Sequence, residues 1–248
     1  MDPLTSKKSW LTAPILFFIM SAMLVAIWAI LPPKRLINLF DRKGASPVEI
    51  ATLGFFALLV PLTFLASPFG GTSKRKALLN FDVSFLAVMA IIRETDLHKM
   101  LFAKIWPAIN ASFTGTVFKM KFLKASDIPI APKLFVLAFF IVFFVFTVAT
   151  FAYFARPLFK GIFSLHPVAW TWSVFGGCAT MVLFVDRLPA FLRHHGFDGP
   201  LLDKHTGSIA ALLKAFEEGG EMMMALFALM GILQAHLFLR EERYLEAK

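Results

Sequence analysis

The sequence predicts an all-α membrane protein, a bundle of about six transmembrane helices with an interfacial segment between helices three and four. Three observations carry the prediction. Of 248 residues, 58% are hydrophobic and only 17% are charged, with a mean hydropathy of +0.72; soluble domains hold ~45–50% apolar and ~25% charged residues. Apolar runs recur at the length of about 20 residues that crosses a bilayer. Basic residues, Pro and Gly stand between the runs, as in loops at a membrane surface.

The whole chain, 1–248, reads as one integral membrane domain. The first run, 10–31, closes at Pro32-Pro33. It is too long for the apolar core of a signal peptide and reads as an uncleaved helix. A basic connection with Lys34, Arg35, Arg42 and Lys43 follows. Ser46-Pro47 then opens a second span, 48–68, because Ser caps a helix and Pro suits its first turn. Glu49 lies where the helix dipole favours an anion. Residues 70–76 form a tight basic turn.

The third span, 77–98, has a short apolar part and carries Asp82. Residues 99–133 mix Phe and Trp with Lys, the pattern of a segment lying among headgroups. The fourth span, 134–155, is expected to end in a turn at Arg156-Pro157 and Lys160-Gly161. The fifth, 166–185, is expected to end at Asp186-Arg187. A polar connection with His194, His195 and His205 leads to the sixth, 208–239.

Net charge is +9, which in a membrane protein places basic loops against anionic headgroups. The expected partners are the lipid bilayer and a partner membrane subunit or a second copy of the chain; nucleic acid is not expected. The single cysteine, Cys178, forbids an intrachain disulfide and reads as a small buried hydrophobe.

The third span ends in Arg93-Glu94-Thr95-Asp96-Leu97-His98. Ionisable groups at membrane depth are costly and mark functional sites by default. With six spans, connections one, three and five share one side. Glu49, the 93–98 stretch, Asp186-Arg187, His205 and Glu217-Glu218-Gly219-Gly220-Glu221 all fall there. The expected polar cluster is therefore Glu49, Arg93, Glu94, Asp96, His98, Asp186, Arg187, Glu217, Glu218 and Glu221.

Three readings stand side by side. Glu94 and His98 share a helix face; with Glu218, Glu221 and His205 they would supply oxygen and nitrogen ligands to Zn, Fe or Mn, serving a membrane-embedded activity on a lipid or small substrate. Crowded acids could instead pass protons in an ion-coupled transporter. Or Arg93 could pair with Glu217, Glu218 or Asp186, Lys214 with Glu218 and Glu49 with Arg187, locking the bundle of a non-catalytic accessory subunit. No Walker loop, Rossmann fingerprint or G-x-S-x-G is present, and no catalytic residue is assigned.

The motifs 41–49, Arg93-Glu94-Thr95-Asp96-Leu97-His98 and Glu217-Glu218-Gly219-Gly220-Glu221 together resemble a family of uncharacterised bacterial polytopic membrane proteins. That resemblance implies a multi-pass protein of the bacterial cytoplasmic (inner) membrane and brings no activity with it.

Overall fold

The computed structural model describes residues 7–41, 46–65, 74–95, 97, 100, 104–105, 120–126, 128–197, 199–203 and 206–246. These are almost wholly helical, with no strand among them. In chain order a 3-10 turn, Lys7–Leu11, leads into α1 (Thr12–Ile30), α2 (Pro33–Phe40), α3 (Pro47–Leu65) and α4 (Lys74–Glu94). Then come α5 (Met120–Lys124), α6 (Ile130–Phe163), α7 (Pro167–His194), a 3-10 turn (Pro200–Leu202) and α8 (Ser208–Glu246).

Among the described residues four helices are long and apolar enough to cross a membrane: Ser9–Ile30, Ile130–Phe163, Pro167–His194 and Ser208–Phe238. The chain is thus compatible with a multi-pass membrane protein. α3 and α4 stand where the second and third spans were expected, but Pro47–Thr63 is a shorter apolar stretch and α4 opens with Lys74-Arg75-Lys76. Of the expected interfacial segment, α5 belongs to the described residues and most of 99–119 lies outside them. Phe122 on α5 is fully buried against Ile128 and Val136, and the Lys133 ammonium donates to the Ala125 carbonyl.

α8 is the axis of the bundle. It packs against α7, α3, α2 and α1. Its buried Ala211, Ala215, Met223 and Phe227 join Leu24 of α1 and Cys178 of α7 in one core. Its Ala225, Ala228 and Ile232 join Phe56 and Leu59 of α3 and Val83 and Ala87 of α4 in a second. Small residues let the neighbours come close. A Cβ on Gly219 would stand 2.8 Å from Leu24 Cδ1, and one on Gly220 2.5 Å from Val182 Cγ2.

Two helix ends differ from the sequence expectation. α6 does not turn at 156–161. Pro157 sits inside it, and the helix ends only where Leu165 adopts φ 55°. There His166 N–H donates to Gly161 O at 2.8 Å and Leu165 N–H to Ile162 O at 3.1 Å. This is the Schellman pattern, which usually has Gly at the left-handed position; with Leu there, the sequence carries no stop signal. α7 likewise runs past Asp186-Arg187. It ends in the same pattern at Gly196, φ 82°, where Phe197 N–H donates to Leu192 O at 3.0 Å. The expected connection 34–47 holds a helix the sequence reading did not assign: α2 buries Leu36 and Phe40, one turn apart.

Gly220→Leu is expected to lower stability by about 1–3 kcal/mol, the cost of overpacking a filled core, read as a lower thermal midpoint in detergent. Gly54→Ala, where a Cβ meets nothing within 4 Å, should hold or raise that midpoint.

Candidate functional site

The first turn of α3 is built by its own sequence. Glu49 N–H donates to Ser46 Oγ at 3.0 Å, and Ser46 N–H donates back to Glu49 Oε2 at 2.6 Å. This reciprocal capping box satisfies two helix-end donors and fixes the Glu49 side chain over the α3 terminus. Ser46 Oγ also donates to Phe40 O at 2.8 Å, tying that terminus to the end of α2. A carboxylate has two oxygens, so capping does not exhaust Glu49.

α4 arrives from the opposite direction and presents Arg93 and Glu94 in its last turn. Arg93 Nη2 donates to Glu221 Oε1 of α8 at 2.7 Å, and Arg93 Nε lies 3.3 Å from Glu94 Oε1. One guanidinium thus bridges the carboxylates of two helices, the fork geometry for which Arg is suited. Glu94 and Glu221 thus share one guanidinium.

On α8 the spacing does the arranging. Lys214, Glu217, Glu218 and Glu221 are three or four residues apart and share a face. Lys214 Nζ lies 2.7 Å from Glu218 Oε1, 3.2 Å from Glu217 Oε2 and 3.5 Å from Asp41 Oδ2 just beyond α2. Gly219 and Gly220 take the opposite faces, where α1 and α7 press close. The five-residue run therefore turns acids to one side and packing surface to the other.

The three helices converge on one point. Glu49, Glu94 and Glu218 each offer a carboxylate oxygen, and these oxygens lie within 4.8 Å of one another. Among the described residues the assembled groups are Asp41, Glu49, Glu94, Glu217, Glu218 and Glu221, against Arg93 and Lys214. Six carboxylates face two cations. Glu218 and Glu221 are buried, so their repulsion is poorly screened by water.

Of the residues expected in the cluster, the structure brings together Glu49, Arg93, Glu94, Glu217, Glu218 and Glu221. Asp96, His98 and His205 lie outside the described residues. Asp186 and Arg187 do not join: they pair with each other at 3.6 Å on exposed side chains of α7, an arrangement worth little in stability. Asp41 was not among the expected members. Its signal was the apolar spacing of Leu36, Ile37 and Phe40, which announces α2 and so places Asp41 at its end.

Comparison with family models, with curated proteins and with solved structures found no match for this chain.

Arg93→Met should destabilise the protein by about 1–3 kcal/mol, less than for a fully buried pair because the Arg93 side chain is half-exposed. Glu221→Gln in the same chain should restore part of the loss. A double-mutant cycle on thermal unfolding in detergent checks this, and additive losses would mean that the two side chains are not coupled.

Proposed function

We propose that this chain is a six-span protein of the bacterial cytoplasmic membrane whose carboxylate cluster holds a divalent cation, serving a membrane-embedded activity on a lipid or other small substrate. One observation carries the reading: Glu49, Glu94 and Glu218 bring oxygens from α3, α4 and α8 within 4.8 Å of one another, among six carboxylates that the two nearby cations do not balance. Arg93 is committed to Glu94 and Glu221, and Lys214 to Glu217, Glu218 and Asp41. A cation at the convergence point would offset the excess of acid. Carboxylates contributed by separate helices are how bundles hold such ions. Zn, Fe and Mn are the candidates; an all-oxygen set favours Mn, and His98 or His205 as a further ligand would favour Zn or Fe.

Two other readings each have an observation of their own. The sharing of the Arg93 guanidinium by Glu94 and Glu221, two acids close to one another, supports proton exchange in an ion-coupled transporter. The Arg93 and Lys214 bridges support a purely structural lock in an accessory subunit that meets a partner membrane protein. The surrounding partner in each case is the lipid bilayer.

Elemental analysis of the purified protein should find a transition metal near one equivalent per chain, reduced about tenfold or more in Glu49→Gln and Glu218→Gln. Metal-free preparations whose thermal midpoint ignores chelator would sink the metal reading and favour the lock. Proton flux in liposomes that disappears with Glu94→Gln would favour the transporter.

A further inference from the structure

A second group of polar side chains lies deeper in the bundle, apart from the carboxylate cluster. Asp82 of α4 is 5% exposed, and its Oδ1 has no hydrogen-bond partner among the described residues. Thr150 of α6 is 3% exposed and its hydroxyl is likewise without a partner, as is the buried hydroxyl of Thr147. A threonine in a helix commonly donates to the carbonyl one turn back; Thr52, Thr171 and Thr180 all do so here. Thr147 and Thr150 depart from that habit.

Helix phase and register bring the three together. Phe81 of α4 meets Phe146 of α6 with ring centroids 5.5 Å apart, and Phe85 meets Phe143 at 5.8 Å and Phe139 at 6.1 Å. The two helices are therefore antiparallel, with residue 81 level with residue 146. At 1.5 Å per residue, Asp82, Thr147 and Thr150 fall within about 8 Å along the axis. At 100° per residue, Asp82 lies between the ridge of Phe81 and Phe85, which faces α6, and the ridge of Val83 and Ala87, which faces the core. Thr147 lies on the side of Phe154, which packs towards that same core with Trp172 of α7. Both directions lead to one side of the line joining α4 to α6.

Among the described side chains, the charged or titratable ones on the helices that share a core or a face with α4 are Glu49 on α3, Lys133, Arg156 and Lys160 on α6, and Lys214, Glu217, Glu218, Glu221 and His236 on α8; none of them pairs with Asp82. On α4 itself Arg93 is eleven residues on, about 16 Å away. A carboxylate buried without a counter-charge costs several kcal/mol. A small cation resolves that cost, and two hydroxyl oxygens add neutral donors of the kind a hard ion prefers.

We infer that Asp82, Thr147 and Thr150 form an interior site for one sodium ion, held by one carboxylate and two hydroxyls. One carboxylate balances one charge, which distinguishes this place from the acid-rich cluster near the surface. The inference does not depend on what that cluster binds.

The test uses the full chain in detergent, treated with dicyclohexylcarbodiimide, which modifies carboxyl groups in apolar surroundings, over a pH series with sodium or choline chloride. Mass spectrometry follows the peptide containing Asp82. For a sodium site, modification should fall about tenfold at a sodium concentration ten times the dissociation constant, by mass action, and choline should not protect. Modification that falls as pH rises with sodium and choline alike would show only a protonated Asp82 and overturn the inference. The thermal midpoint should rise with sodium, Asp82→Asn and Thr150→Val should lose that response, and Asp186→Asn, on an exposed side chain of α7, should keep it. If Asp82→Asn does not fold, Thr150→Val decides alone. Asp82 left unmodified throughout, or modified independently of pH and sodium, overturns the inference, as does a Thr150→Val chain with the wild-type ion response.

Discussion

Three glutamates within two turns of an apolar helix are the constraint to which the surrounding structure answers. Glu217, Glu218 and Glu221 lie in the first half of α8, the helix against which α1, α2, α3 and α7 pack. Charge in such a position is tolerated only when other groups come to meet it. α4 brings Arg93, α8 itself brings Lys214, and the ends of α2 and α3 bring further acids instead of bases. The result is a knot of charge held in place by cations but not neutralised by them. Its location follows from topology: the start of α3, the end of α4 and the early part of α8 meet at one end of the bundle.

The two sides of α8 are complementary. Facing α1 and α7, Gly219 and Gly220 remove side chains so that Leu24 and Val182 can fill the space. Facing α3 and α4, the glutamates keep theirs. A motif of acids interrupted by glycines thus encodes close packing in one direction and electrostatics in the other, and neither would be possible with a bulky residue at 219 or 220.

Much of this was legible in the residues. The capping role of Ser46 and Glu49 is local chemistry, and so is the i,i+4 pairing of Lys214 with Glu218; both could be read from spacing. The meeting of Glu49, Glu94 and Glu218 needed only the alternation of helix direction. What spacing could not supply was the pairing of Arg93 with Glu221: the expected partners were Glu217, Glu218 or Asp186, and helix packing chose a different acid. Helix ends were hidden for a different reason. Gly161 and Pro157 resemble a turn, yet the α6 terminus is set by a left-handed Leu165, a conformation that leucine does not advertise. Asp186-Arg187 looked like a boundary because charge usually marks one; their side chains turn outward instead, and α7 continues. α2 was missed because basic residues masked a short apolar stripe.

The glycine contacts on α8 have a mechanical consequence. With Leu24 and Val182 seated against residues 219 and 220, turning α8 about its axis would drive backbone into side chains, and close-packed interfaces do not deform smoothly. α8 is therefore keyed in rotation, and the direction in which its glutamates face is set by the two glycines on its other side.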